Sequence, residues 1–555
     1  MSKKLIWLIV GVAVLGTGTF IAFRFFKGSD KHLILVPRNA TFVIRFDAKS
    51  LAEKIYANGD IKATKLYKEL EKKSSDNDAE SKVIAQIMRD PSSLGINVFS
   101  DVYFYMYNTK NVNYNAFVLD IKDLEDFNRT VLKFPHAKDK LVKGKEFNYL
   151  KLNNRSILAW NNTGLLMLNK EYSWFYDESP NETIEKAVKG FMSMSKESSI
   201  KSDKAFMSYI DNDDDISMYF SYEKLNRMLQ VKGLGEDQET ENAIKMLNGV
   251  AIGVGMEFED DAIVGRSKVL GDLKAYEKFN YLGRSGLSEK ALSVVCQDKL
   301  LAMIGLNFDL EKLLNVIGNV SGDEKGMRRG IEDMAGEMGL TSKQLLKAIG
   351  SEFSLALLGF ETSTKQSLDY AMNEETGNFE FVPVTKTIAV PMMTMSFGVN
   401  NQAIFEKMLS RMPTQLQADG TRKMPMHMFD SAYLYMVLKD KILFVTNSET
   451  MAAKVQRDGK LGTISESKVK DLAKDHPMSF YMDLDVKKYQ ALASTFDFVG
   501  EQAMTYFTDY MAMFKDITGY YKGFDSEMRI NLNRGKGNSL YRLVKQMDEL
   551  PVETW

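Results

Sequence analysis

Apolar residues recur along this chain in two spacings. A short unit alternates apolar and polar positions, meets a polar residue suited to capping a helix, and resumes with an apolar residue about four positions on. It occurs first as Phe42, Ile44 and Phe46, with Asp47 as the cap and Leu51 and Ile55 beyond it. It returns as Ile216, Met218 and Phe220 with Ser221, Leu225 and Met228, and as Ile304, Leu306 and Phe308 with Asp309, Leu313 and Ile317. A fourth copy is Phe480, Met482 and Leu484 with Asp485, Tyr489 and Leu492. A period of two that gives way to one near 3.6 at an Asp or Ser predicts a strand, an N-cap and a helix.

The intervals between copies organise the chain. Asp47 to Asp309 is 262 residues and Ser221 to Asp485 is 264, while the steps within the two halves are 174 and 176. Phe117, Leu119, Asp120 and Leu124 match Phe397, Val399, Asn400 and Ile404 at an offset of 280. The excess of 16 to 18 residues predicts an insertion in the second half, in the polar stretch around Glu361 to Glu380.

Hairpin signals fill the intervals. Tyr149 to Leu168 breaks at Asn153-Asn154 and at Asn161-Asn162-Thr163-Gly164, and Tyr433 to Val445 breaks at Lys439-Asp440-Lys441. Val250 to Val269 turns at Asp260-Asp261, and Glu527 to Val544 reads as a hairpin turning at Gly535-Lys536-Gly537. The expected fold class is α+β: an N-terminal transmembrane helix, then two tandem duplicated modules with largely antiparallel sheets covered by helices. The boundaries read as a basic tail over 1–4, a transmembrane signal anchor over 5–23, a linker over 24–32 and a first module over 33–272. A connector over 273–289, a second module over 290–548 and a tail over 549–555 follow.

The anchor is Leu5 to Phe23, 19 residues without a charge between Lys3-Lys4 and Arg24. As a helix it would span about 28 Å, close to the hydrocarbon thickness. A cleaved signal peptide is the competing reading, but Thr17-Gly18-Thr19 makes a poor cleavage site and Phe20, Ile21, Phe23, Phe25 and Phe26 keep the stretch apolar. Arg24, Lys27 and Lys31 nearly balance the lysines before it, so the positive-inside count says little. A short basic start fits an inner-membrane, single-pass protein with its C-terminal bulk in the periplasm.

Composition limits the chemistry. With 72 Lys+Arg against 74 Asp+Glu, the net charge of −2 leaves no cation excess to displace counterions from nucleic acid. The single cysteine, Cys296, allows neither an internal disulfide nor a multi-Cys zinc site. The four histidines, His32, His136, His427 and His476, lack ligand spacing for a zinc hydrolase. Ser193/Lys196 and Ser465/Lys468 match Ser-x-x-Lys without its companion elements and read as surface. Asp211 to Asp215 imitates half a calcium loop, but Ile216 and Tyr222 stand where Gly and Glu are needed.

Met424-Pro425-Met426-His427-Met428 could suit Cu(I), although the 33 methionines are spread over core positions as well. Tyr103, Tyr105 and Tyr107 share one face of a strand, a platform for a glycan or partner, or a half-exposed strand of good β propensity. No catalytic, cofactor-binding or metal residue is assigned, and no cofactor is expected.

The opening Val36-Pro37-Arg38-Asn39-Ala40-Thr41-Phe42, continuing to Asp47-Ala48-Lys49-Ser50-Leu51, is similar to the start of a Bacteroidota envelope-protein family catalogued only as a domain of unknown function. Such proteins open with a Pro-x-Asp/Asn-Ala strand ending in Asp-x-Lys-Ser-Leu, and Leu94-Gly95 and Phe117 to Phe127 continue the likeness. The resemblance implies an extracytoplasmic place and supplies no catalytic residue. Members typically carry a lipoprotein signal, whereas no cysteine stands near residue 20 here. Asp430-Ser431-Ala432 resembles the O-glycosylation acceptor of those envelopes. The expected function is membrane-anchored binding or scaffolding, not enzymatic, with the membrane and an envelope protein as partners. The alternatives are an envelope enzyme with an unrecognised site, or a metal or small-ligand binder using the Met-rich segment.

Overall fold

Asp47 does what the alternating run before it predicts: its carboxylate accepts the Ser50 amide at 2.8 Å and starts the helix Ala48–Tyr56. Asp309 repeats this at Lys312, 3.1 Å away, for the helix Leu310–Ser321. The computed structural model describes residues 30–56, 68, 94–109, 112–133, 137–171, 183–225, 242–243, 245–295, 300–372, 379–428, 431–462, 467–489 and 508–549. The chain divides into two compact units, Met1–Glu277 with Arg534–Trp555, and Lys278–Asn533.

The strands of the first unit are β1 (Phe42–Phe46), β2 (Val102–Asn108), β3 (Asn113–Leu119), β4 (Leu141–Lys143) and β5 (Asn148–Asn153). They continue with β6 (Ser156–Trp160), β7 (Leu165–Glu171), β8 (Ile216–Ser221), β9 (Val250–Phe258) and β10 (Ala262–Gly271). All pair antiparallel, in the order β10-β9-β8-β1-β2-β3-β7-β6-β5-β4.

The second unit has β11 (Ala302–Asn307), β12 (Ile349–Met372), β13 (Phe379–Val399), β14 (Gln415–Leu416) and β15 (Arg422–Met428). Then come β16 (Ser431–Lys439), β17 (Ile442–Thr446), β18 (Met478–Asp483), β19 (Phe514–Lys522) and β20 (Asp525–Leu532). Their antiparallel order is β20-β19-β18-β11-β12-β13-β17-β16-β15-β14, the same path through ten strands.

In the first unit Val43, Tyr103, Tyr105, Ala116, Val118, Ile157 and Leu168 form a core with Val188 and Phe191 of the helix Ile184–Met192 and Phe206 of the helix Lys204–Ile210. Trp160, wholly buried, meets Phe127 edge-on at 5.4 Å, and its indole N–H donates to Asn128 Oδ1 at 2.8 Å. In the second unit Met303, Ala356, Val437 and Phe444 pack with Ala452 and Val455 of the helix Glu449–Asp458.

The structure departs from the sequence reading in three places. Among the described residues no helix is long and apolar enough to cross a membrane; the longest, Glu324–Glu337, has 14 residues and is amphipathic. The transmembrane helix is therefore not part of the fold as described, and Leu5 to Phe23 lies outside the described residues. Next, the hairpin expected at Gly535 is instead the helix Ser539–Glu549, where Leu540, Leu543 and Val544 follow helical spacing, and the turn between β19 and β20 falls at Gly523, φ +66°. Finally, Phe42 pairs with Phe220 but Ile304 pairs with Phe480, so Phe220 corresponds to Phe480 rather than to Leu484. A slip of four residues leaves every side chain on its own face, so alternation cannot detect it.

Candidate interaction surface

The acidic run Asp211 to Asp215 starts against Arg45 of β1. The Arg45 guanidinium donates to the carbonyls of Ile210 and, at 3.0 Å, Asn212, and it faces Asp101 at 3.2 Å and Asp47 at 3.4 Å. Asp215 is wholly buried and accepts the Lys54 ammonium and the Phe258 amide, each at 2.6 Å, with the Ser50 hydroxyl as a third donor. Burial pushes the Asp101 carboxyl up to about 6, although Arg45 pulls the other way. A carboxylate turned inward onto three protein donors is a structural joint. Among the described residues no group of three or more His, Cys, Asp and Glu could hold a metal.

The other candidate residues fall apart in space or outside the described segments. The Ser193 hydroxyl donates to Glu146 at 2.9 Å, while Lys196 stands exposed on a turn. Ser465, Cys296, His136 and Asp430 lie outside the described residues. His32 is buried with Nε2 2.8 Å from the Asp101 carbonyl oxygen. His476 stacks on Tyr520 at 3.8 Å, and burial lowers its pKa. Met424 packs into the cluster of Leu409, Met436 and Val445. A cavity lined by Lys290, Val294, Lys439, Asp440 and Phe444 measures about 20 Å³, room for one water and no substrate.

The tyrosine platform is not a surface. Tyr103 and Tyr105 are 1% and 0% exposed, and Phe191 packs edge-on against Tyr105 and Tyr107 at 5.8 and 5.3 Å. The half-exposed face of β2 is the one that carries Phe104 and Met106. Both faces are apolar enough to be buried, so sequence alternation does not say which is covered.

The surface that stands out was signalled only as an insertion. β12 and β13 run 24 and 21 residues, against seven each in β2 and β3. β12 pairs with β11 as far as Leu357, and β13 pairs with β17 as far as Thr394. Beyond that point Phe360–Met372 and Phe379–Pro391 pair only with each other among the described residues, as a two-stranded ribbon. Leu368 and Phe381 on it are 65% and 68% exposed.

Its root is built by three residues. Gly359 takes φ +130°, a conformation reserved for glycine, at a register shift between Leu357 and Phe360. Asn447 substitutes for a missing strand residue: its Nδ2 donates to the Pro391 carbonyl at 2.8 Å and its Oδ1 accepts the Met393 amide at 3.0 Å. Pro391 pairs with Phe360 and Pro383 with Leu368. Proline has no N–H, so both occupy rungs whose main-chain groups point away from β12. The same rungs on β12, every second residue from Phe360 to Met372, then direct their N–H and C=O outward, and none is proline.

Comparison with known proteins adds little about activity. No curated protein matches the chain. Crystal form I of TP0453 is 9% identical with a TM-score of 0.23, covering 53% of this chain and 86% of that one. Crystal form IV is 10% identical with a TM-score of 0.23, covering 43% and 79%. Those scores carry no argument. A family model does match residues 33–518, and the chain accordingly belongs to the family described as a domain of unknown function (DUF4836).

Proposed function

We propose that this protein is an extracytoplasmic binding or scaffolding protein, not an enzyme, and that the β12–β13 ribbon is its binding arm. The ribbon carries the reading. Its strands continue past the sheet, none of its described side chains belongs to a core cluster, and Leu368 stands in water. Exposed apolar groups favour contact with another macromolecule. The extracytoplasmic place is supported by the likeness of the Val36 to Leu51 opening to envelope proteins.

A photo-crosslinking amino acid placed at position 368 in intact cells tests it, with position 142, exposed on β4, as the control. The reading expects a discrete adduct from 368 and none from 142. Equal smears from both positions, or no adduct from 368, would contradict it.

A further inference from the structure

We propose that the ribbon joins two copies of this chain, the outer edge of β12 pairing antiparallel with itself across a two-fold axis. This rests on reading the ribbon as the binding arm. The two prolines decide the edge. β13 loses outward donors at Pro383 and Pro391, whereas β12 keeps an outward N–H and C=O at every second residue from Phe360 to Met372. Among the described residues no strand occupies that edge beyond Leu357. Every outward residue of β12 has an even number, so an antiparallel second copy meets it with groups of the same kind at every rung.

Charge and ladder length together select the register. A two-fold axis at position 365 sets position 361, a glutamate, opposite 369, an aspartate, and sets the lysine at 365 opposite itself. Like charges directly opposite are destabilising. An axis at position 367 sets 365 opposite 369 twice, lysine facing aspartate by register. It also aligns 362 with 372, 364 with 370 and 366 with 368, offering about a dozen main-chain hydrogen bonds, as many as a typical specific interface carries.

Sedimentation velocity on the intact chain over a concentration series tests the proposal. Thr364→Pro removes an outward N–H from β12 and leaves the hairpin ladder whole; Thr385→Pro does the same on β13. The expected result is a dimer whose dissociation constant rises about tenfold or more in Thr364→Pro and stays within about twofold in Thr385→Pro. Lys365→Asp should weaken the dimer, and Lys365→Asp with Asp369→Lys should restore it, which separates pairing from misfolding. A monomeric wild type, or a dimer indifferent to Thr364→Pro and to the charge swap, would overturn the proposal. A monomer that still yields a discrete heterologous adduct from position 368 would overturn the pairing alone and leave the binding arm standing.

Discussion

The rings of Phe353 and Phe397 lie 5.0 Å apart at 52°, and those of Phe104 and Phe117 repeat the same distance and tilt. Both pairs face each other across neighbouring strands, β12–β13 and β2–β3. The two units thus share one strand order and one aromatic pair.

Removing the ring should therefore cost the same in either place. Phe117→Ala and Phe397→Ala are each expected to destabilise the protein by about 2 kcal/mol, less than a fully buried Phe because both rings are half exposed. Urea unfolding of the two variants checks this. A loss at one position only would argue that the shared geometry has no shared energetic role.

Asp215 is expected to be the most sensitive charge in the first unit. Lys54→Met leaves its carboxylate buried with an unanswered charge, at a cost of about 3 kcal/mol, whereas the exposed pair Arg328–Glu324 should yield less than about 0.5 kcal/mol on Arg328→Ala. Thermal unfolding midpoints rank the two. Equal effects would mean that the Lys54 contact is incidental.

Asp101 gives a pH dependence of definite sign. Burial raises its folded-state value to about 6, above that of the unfolded chain, despite the Arg45 guanidinium and with Asp47 and Asp30 adding to the rise. Between about pH 4 and 6 the folded protein then binds the proton more readily than the unfolded chain. Stability contributed at this site falls as pH climbs through that window and is level above it. Unfolding free energies at pH 4, 5, 6 and 7 should show this slope in the wild type and a flatter one in Asp101→Asn. A steeper slope in the variant would contradict the assignment.

The root of the ribbon can be tested at Asn447. Asn447→Ala removes both hydrogen bonds that close the β13 edge, at about 1–3 kcal/mol if the freed groups stay out of water. The Met393 amide should exchange with solvent at least about tenfold faster. Unchanged protection at Met393 would mean that the ladder of β13 holds without the cap.

Much of the fold was legible from residues alone. The alternation around Phe42 and Ile304 located strands, Asp47 and Asp309 cap the helices expected of them, and the offset of 280 that aligned Phe117 with Phe397 is the one the sheet uses. The surplus does include Glu361 to Glu380 but is larger than the offsets show: Phe353 to Phe397 is 31 residues longer than Phe104 to Phe117, while Leu306 to Phe353 is 13 shorter than Ile44 to Phe104. What failed did so for physical reasons. Tyr103 and Phe104 are both apolar enough for a core, so the pattern fixed opposite faces without ranking them. The run to Val544 reads as the second arm of a hairpin, whereas Leu540, Leu543 and Val544 follow the longer period of a helix. The clue to the ribbon's free edge was present in Pro383 and Pro391, eight residues apart and so on the same side, but its meaning depends on pairing that only the structure supplies.

The account stands or falls on the ribbon as the arm through which this protein holds its partner. The direct measurement is the native mass of the assembly extracted from cells, for the wild type and for a variant with residues 362–389 replaced by a two-residue Asn-Gly turn. The account predicts that the wild type migrates as a discrete complex and that the shortened variant migrates as a lone chain with an unchanged unfolding midpoint. A shortened variant that keeps the full complex would contradict it.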